Sequence, residues 1–323
     1  MKAAVVGNDG VEIRDVPKPE PKPNEILIKV RAAGLNRADL IVASGRSHGR
    51  AGGPGTVLGL ECAGEVAAVG AEVKGFKPGD RVMGGAAGSY AEYAVIDHGR
   101  VSPIPANNMS WEQAATLPVA LQTMHDAVVT NGRLQAGESV LIQGASSGVG
   151  LMAMQIAKFK GAKLVIGTST HAGRRAKLKD FGADLAIDTT KPEWSEEVLK
   201  ATGGKGVNLT VDMLSGPVVS QTMKCTALLG RIVNIGRLAG MKAEFDFDAH
   251  ARQRIDYIGV TFRTRTIEEV REILIKMRAD LWDDVKAGRI KVPIDKTYPL
   301  AEAKSGHEHM RTNQHFGKIL LIP

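Results

Sequence analysis

The feature that most constrains this chain is an apolar strand running straight into a glycine-rich turn: Ser139-Val-Leu-Ile-Gln143, then Gly144-Ala-Ser-Ser-Gly-Val-Gly150, then a helix expected over Leu151–Lys160. Such a turn exposes backbone N–H groups at the positive end of a helix dipole, where a pyrophosphate can sit. Glycine is needed because a side chain would hold the phosphates away from the backbone. A second strand, Ala162-Lys-Leu-Val-Ile-Gly167, follows at βαβ spacing and ends in Thr168-Ser169, with Arg174-Arg175 just beyond. Many NAD-binding chains place an acid there for the ribose 2′-hydroxyl, whereas hydroxyl and basic groups tolerate a 2′-phosphate. The segment therefore reads as a site for NADPH rather than NADH. Ser147, Gly148, Val149 and Gly150 frame the pyrophosphate; Thr168, Ser169 and Arg174 face the 2′-phosphate, with Arg175 as understudy.

The turn departs from strict G-x-G-x-x-G, because Ala145 and Ser147 take the first two glycine positions when Gly150 is the third. Its weight comes from the strand–turn–helix–strand context. The same letters also satisfy G-x-S-x-G, the nucleophile elbow of α/β-hydrolases, with Ser146 as nucleophile, Asp212, and one of His250, His307, His309 or His315. That elbow needs several upstream strands and an oxyanion loop, and no His-Gly-Gly-type segment precedes Ser139. Ser146 and Ser147 equally suit a tight turn and a helix cap.

At 323 residues the chain exceeds one typical core and suggests two domains. From Met1 to about Met109, short apolar runs alternate with Pro/Gly turns, which reads as β-rich. Ser110-Trp-Glu-Gln has the form of a capped helix start. From Leu121 to about Ala239 the grammar becomes βα, with strands expected at Val140–Gln143, Leu164–Gly167, Leu185–Asp188, Val207–Val211 and Ile232–Ile235. This is the pattern of a doubly wound parallel sheet, so the fold class is α/β. Beyond it, Ile267, Val270, Leu274, Met277, Leu281 and Val285 form a helical apolar stripe, and Phe316–Ile322 reads as a last strand folding back on the first domain.

The net charge of +7 comes without a Lys/Arg run or basic-aromatic stripe, so no nucleic-acid groove is expected. Cys62 and Cys225 give neither metal-ligand spacing nor a disulfide framework. Met1–Val6 reads as a strand rather than a signal peptide, and no apolar run has membrane-spanning length. A cytoplasmic enzyme is the expectation.

Gly137-Glu138-x-x-Leu141-x-x-x-Ala145-Ser-Ser-Gly148-x-Gly150-x-x-x-x-Gln155-x-x-Lys158 resembles the signature of the quinone oxidoreductase/ζ-crystallin branch of the medium-chain dehydrogenases/reductases. The likeness extends to Ala33–Asp39, Leu58–Val66, Phe76–Val82, Phe181–Asp184, Thr261–Thr266 and Gly317-Lys318. It implies a GroES-like catalytic domain built from residues 1–120 and 256–323, a Rossmann domain over 121–255, and a cleft where nicotinamide meets acceptor. It also implies a homodimer.

The zinc alcohol dehydrogenases of the same superfamily have a cysteine where this chain has Asn36 and a histidine where it has Leu60. Catalytic zinc needs three protein ligands of thiolate or imidazole character, which Asn36 and Leu60 do not supply; Cys62, Glu61 and His48 are a poor substitute because a free cysteine is usually a small buried hydrophobe, so no metal is expected. A quinone, or an alkene conjugated to a carbonyl, accepts hydride without such a Lewis acid. The resemblance places Asn36 near the nicotinamide as a partner for substrate oxygen, with Asp39 as a cleft residue or a helix cap. Thr123, Ile235 and Gly236 lie along the cofactor, Phe262, Arg263 and Thr264 wall it, and Lys318 reaches it. Asn36 and Arg263 are the candidate catalytic residues; His125 and Asp126 are suggestively placed, but no proton donor is assigned. The implied activity is NADPH-dependent quinone reduction without zinc. Its alternatives are an enoyl or 2-alkenal reductase and, in another class, an NADPH-binding structural or RNA-binding protein akin to ζ-crystallin.

Overall fold

The computed structural model describes all residues except Asp9, Arg50 and Asn107. Two units emerge, Met1–Gln122 with Phe262–Pro323, and Thr123–Thr261.

The first unit opens with an antiparallel hairpin, β1 (Lys2–Gly7) and β2 (Gly10–Asp15). There follow β3 (Glu25–Gly34), α1 (Arg37–Ala43), β4 (Cys62–Val69), β5 (Arg81–Gly84), β6 (Tyr93–Asp97), β7 (Val101–Pro103), α2 (Trp111–Ala115) and α3 (Pro118–His125), which leads into the second unit. Ser110 caps α2 as expected: its Oγ accepts the Gln113 N–H, and the Gln113 side chain accepts the Ser110 N–H.

In the second unit come β8 (Ser139–Gln143), α4 (Gly148–Phe159), β9 (Leu164–Thr168), α5 (Ala172–Ala176), β10 (Leu185–Ile187), α6 (Trp194–Ala201), β11 (Val207–Asp212), α7 (Val219–Lys224), β12 (Thr226–Asn234), α8 (Phe247–Gln253) and β13 (Asp256–Gly259). Its sheet runs β10-β9-β8-β11-β12-β13, every pair parallel. In order of appearance that is 3-2-1-4-5-6, the dinucleotide-binding arrangement, whose ligand crevice lies off the carboxyl ends where the winding reverses between β8 and β11. β8 is buried along its whole length, as a central parallel strand must be.

The chain then returns to the first unit as α9 (Ile267–Lys286), β14 (Ile294–Pro299), α10 (Ala303–Arg311) and β15 (Lys318–Ile322). The sheet order there is β14-β15-β3-β4-β5-β7, with β6 also on β3. β15 lies antiparallel to β3, Leu320 opposite Gly34 and Leu321 opposite Ala33, so the last strand docks beside one of the first.

Three details differ from the sequence reading. The second unit extends past residue 255, because β13 pairs with β12 from Arg231↔Asp256 to Asn234↔Gly259. α4 starts at Gly148 rather than Leu151, since the Ser147 hydroxyl accepts the Gly150 N–H at 3.1 Å and caps the helix. On α9, Ile267 is exposed in the first turn, and Ile273 joins Val270, Leu274, Met277, Leu281 and Val285 in the buried stripe. No helix among the described residues is long and apolar enough to cross a membrane.

α9 is anchored by charge as well as by its stripe. Arg271 meets Asp97 through two parallel bonds, Nε to Oδ1 at 2.8 Å and Nη2 to Oδ2 at 2.5 Å. Burial pushes the Asp97 carboxyl up, but the Arg271 bonds outweigh it and hold the group below its ordinary value. Asp97 therefore adds stability above the ordinary carboxylate pKa and loses it as pH falls through the depressed one. Arg271→Ala is expected to lower unfolding free energy by about 2 kcal/mol at pH 7, because a buried carboxylate loses its charged partner while keeping the Asn24 and Gly99 donors. Urea denaturation of both proteins measures this.

Candidate functional site

In the second unit, the loop joining β8 to α4 is built around two glycines. Gly144 has φ +74°, a conformation that disfavours side chains, and a Cβ on Gly150 would lie 2.6 Å from the Ala145 Cα and from the Gly144 oxygen. Gly150 thus permits the close approach that the third fingerprint glycine provides. The hydroxyl of Thr168 accepts the Gly144 N–H at 3.1 Å and donates to Gln143 Oε1 at 2.9 Å, so Thr168 holds the turn in shape from beneath. Ser147 Oγ takes the Gly150 N–H, and the first-turn N–H groups of Gly148 and Val149 have no acceptor within the helix. These two donors and the positive end of α4 suit a pyrophosphate.

The end of β9 carries no acid. Ser169 Oγ donates to Ser146 Oγ at 3.3 Å, and α5 brings Arg174 and Arg175 alongside. Arg175 is committed: Nη2 lies 3.0 Å from Asp188 Oδ2, and Nη1 donates to the Ser169 carbonyl at 2.9 Å. The understudy Arg175 therefore has a role in holding the fold. At the end of β12, a Cβ on Gly236 would meet the Met213 oxygen at 2.4 Å, so only glycine lets this segment pass the end of β11. Ile235 N–H and Gly236 N–H both donate to the Asp212 carbonyl. Ser146 faces a serine rather than a histidine, and Asp212 Oδ1 accepts the N–H groups of Leu214 and Ser215, so neither is arranged as in a hydrolase. Thr123 opens this unit, half-buried on α3. Buried His125 and Asp126 follow where the helix widens into a π-helical turn, Asp126–Asn131.

In the first unit, the junctions of β3 with α1, of β4 with its lead-in, and of β15 converge on a buried ion pair. Lys318 is 4% exposed and Glu61 0%. The ammonium bonds Glu61 Oε1, Asn36 Oδ1 at 2.8 Å and the Leu35 carbonyl at 3.2 Å, so each of its three hydrogens has an acceptor. Asn36 Nδ2 donates to Glu61 Oε1 at 2.8 Å and to the Gly34 carbonyl at 3.3 Å, and Val119 N–H donates to Glu61 Oε2 at 2.8 Å. A Cβ on Gly34 would sit 2.6 Å from Glu61 Oε1, which explains glycine there.

Both amide hydrogens of Asn36 are donated inside the protein, and all three donors of Lys318 are engaged there as well, so the geometry shows each holding the other elements in place. Asp39 does cap α1, its carboxylate accepting the Asn36 N–H at 2.8 Å, and it also accepts the Tyr90 hydroxyl at 2.6 Å. Arg263 and Thr264 are exposed on the return segment and Phe262 is half-buried beneath them. Phe262 lies under the Arg265 guanidinium at 5.5 Å.

These side chains do not fit a zinc ion. Asn36 is neutral, a lysine ammonium already lies against Glu61, and burial pushes the Cys62 thiol up to about 12, far from a thiolate. Among the described residues no three His, Cys, Asp or Glu side chains are grouped to hold a metal.

Residues 148–279 match the family described as zinc-binding dehydrogenase, and residues 22–106 match the alcohol dehydrogenase GroES-like domain. The chain is 30% identical over 311 residues to quinone oxidoreductase of Homo sapiens, covering 95% of this chain and 92% of the relative. Its fold is similar to that of Escherichia coli quinone oxidoreductase complexed with NADPH, with TM-score 0.89, 27% identity and 100% of each chain covered. A structure described as an NAD-dependent alcohol dehydrogenase gives TM-score 0.86 at 29% identity, again over 100% of each chain. The chain belongs to the quinone oxidoreductase branch of the medium-chain dehydrogenase/reductase superfamily. Its first unit is the GroES-like domain of that branch and its second the Rossmann-like domain. It is an oxidoreductase.

Sequence reasoning missed Tyr90 in this GroES-like domain, and weighed Glu61 only as a makeshift zinc ligand rather than as the partner of Lys318. The signal for Glu61 was a lone charge inside Leu58-Gly-Leu-Glu-Cys-Ala-Gly, since a carboxylate in an apolar run implies a buried partner.

Two buried groups in the domain pull stability in opposite directions with pH. Burial pushes the Asp39 carboxyl up to about 7, beside Tyr90, Glu61 and Lys318. Burial pushes His307 on α10 down to about 4; its ring lies edge-on to Tyr90 at 5.8 Å, and neither nitrogen has a hydrogen-bond partner among the described residues. Folded Asp39 keeps a proton that the unfolded chain has released, so its contribution falls as pH rises from about 4 to about 7. Folded His307 refuses a proton that the unfolded chain accepts, so its contribution rises from about 4 to about 6.5. Each is worth about 3–4 kcal/mol at most over its window. Asp39→Asn is therefore expected to make stability climb between pH 4.5 and 6.5, and His307→Leu to make it fall. Denaturation midpoints across that range, compared with the parent protein, read both slopes.

Proposed function

We propose that this protein is a zinc-independent, NADPH-dependent reductase of quinones. The observation that carries the reading is the combination, in a 3-2-1-4-5-6 parallel sheet, of the Gly144–Gly150 turn with a second-strand end that offers Ser169 and Arg174 in place of an acid. A guanidinium suits a phosphate dianion in charge and in fork geometry. Gly148 and Val149 hold the pyrophosphate through their N–H groups, and Ile235 and Gly236 lend backbone along the cofactor. NADPH, when bound there, supplies the hydride. With solvent supplying protons, one quinone and one hydride yield the hydroquinone. The chain's own part is binding and orientation, since no side chain is assigned as proton donor. Asn36, Glu61 and Lys318 form a rigid floor that gives the GroES-like domain a fixed cation without a metal. An electron-poor acceptor that takes hydride directly suits a floor with no Lewis acid.

The homodimer belongs to the same proposal. It is supported by the open edge of β13, beside which Tyr257 and Phe247 are exposed.

The test follows NADPH absorbance with a panel of quinones and a separate panel of enones and 2-alkenals. Turnover of quinones is expected; turnover of enones alone would convert the reading to alkene reduction, and turnover of neither with tight NADPH binding would end the enzymatic claim. Arg174→Ala is expected to raise the KM for NADPH about 10- to 100-fold while leaving NADH nearly unchanged, as loss of a charged hydrogen bond to phosphate implies. Equal loss with both coenzymes would remove Arg174 from the 2′-phosphate.

A further inference from the structure

Just past the carboxyl end of β11, the Rossmann-like domain holds a serine in a backbone conformation suited to glycine. Ser215 has φ +54° and ψ −158°. This lies close to a corner of backbone space populated essentially by glycine, because a Cβ there crowds the neighbouring peptide groups. Arg254, with φ +50° and ψ +50°, is by contrast in the ordinary left-handed helical region. A conformation like that of Ser215 persists only where the surroundings impose it. Here Asp212 Oδ1 accepts the Leu214 N–H at 2.8 Å and the Ser215 N–H at 2.9 Å. Gly216 follows at φ +60°, and a Cβ on it would lie 2.8 Å from the Gly240 Cα, so the turn is clamped on both sides.

What serine adds to this turn is a hydroxyl, and its orientation is settled by its partners. It donates to the Gly236 carbonyl at 2.7 Å and accepts a hydrogen from Asn234 Nδ2, which also reaches the Gly236 carbonyl at 3.4 Å. Ser215 is 7% exposed and Asn234 8%, so solvent has little access to the cluster. The same stretch is tied to β11 through its N–H groups. Ile235 and Gly236 donate to the Asp212 carbonyl, Leu238 to that of Met213 and Ala239 to that of Leu214. The backbone therefore fixes the donors of this segment, while Ser215 and Asn234 fix the carbonyl of Gly236.

In a doubly wound sheet each half takes one mononucleotide of a dinucleotide laid across the reversal. Ser169 and Arg174 follow β9, on one side of that reversal; β11 and β12 end on the other. The segment at Ile235 and Gly236 thus belongs to the nicotinamide half. We propose that Ser215 is a positioning residue for that half of the coenzyme: its hydroxyl pins the Gly236 carbonyl, and the glycine-like backbone at 215 is what aims it there. The assignment rests on the coenzyme reading given above and adds the residue that pre-forms the second half of the site. Glycine at 215 would make the same turn without strain but leave the carbonyl untethered. The coenzyme would then have to order the segment as it binds, which weakens binding.

Two variants of the full chain separate hydroxyl from strain. Ser215→Ala keeps the Cβ and its strain but loses the hydroxyl; Ser215→Gly loses both. NADPH, NADH and ADP, which carries only the adenosine and pyrophosphate, are titrated calorimetrically into each protein, and thermal unfolding is recorded. Both variants are expected to bind NADPH and NADH roughly 5- to 10-fold more weakly than the parent, the scale of one lost hydrogen bond. ADP affinity should stay within about twofold, since its contacts lie on the other half of the sheet. Ser215→Gly should nevertheless melt roughly 2–6 °C above Ser215→Ala, so that affinity and stability part company. Weakening in Ser215→Ala but not in Ser215→Gly overturns the proposal, because it traces the loss to strain. An equal weakening of ADP overturns it as a general loosening of the domain. Undiminished coenzyme affinity in both variants overturns the role of Ser215 while the coenzyme reading stands. A parent protein that binds neither NADPH nor NADH overturns that reading itself, and this assignment with it.

Discussion

The GroES-like domain depends on one buried ion pair, Lys318 with Glu61. Taking both charges out of water is expensive, and their attraction offsets that penalty only when the remaining donors and acceptors are satisfied as well. Here they are: the ammonium has acceptors on Glu61, Asn36 and Leu35, and the second Glu61 oxygen takes the Val119 N–H. The pair thereby joins four stretches of chain that share no local sequence relation. It also explains residues that look incidental alone: Gly34, with no room for a Cβ; Asn36, bridging anion and cation; and the register that sets Leu320 against Gly34. Lys318 gives this domain a buried cation carried by the chain itself.

The Rossmann-like domain is organised by sterics where the other is organised by charge. Gly144, Gly150 and Gly236 each stand where backbone passes backbone too closely for a Cβ or turns through a left-handed conformation. The reward is a row of N–H groups at the start of α4. Beyond the end of β9, Arg175 donates to the Ser169 carbonyl and pairs with Asp188, so this corner of the domain is held by charge as well.

What was legible in the sequence was local. The phosphate turn, the parallel strands, the α2 cap and the α9 stripe rest on contacts within a few residues, and each element formed close to its expected place. Helix α4 begins earlier than expected because, of the turn and cap roles open to Ser147, its hydroxyl takes the cap and the helix starts at Gly148. The roles of Asn36 and Lys318 were not legible, because they depend on partners 25 and 257 residues away along the chain. A resemblance can align such residues with a site, but only three-dimensional bonding shows that their donors are already engaged. The role of Arg175 in the fold likewise shows only once Asp188 is seen beside it.

The pairing of β15 with β3 has a consequence for biosynthesis. Lys318 and its acceptor on Leu35 are 283 residues apart, and the whole Rossmann-like domain is translated between them. As the polypeptide leaves the ribosome, β3 emerges early with an open edge and Glu61 carries a charge with no counterpart, while the inserted domain already has every strand it needs. The inserted domain is thus the first able to complete itself. The amino-terminal strands must wait, exposed to chaperones, until the closing strand is made.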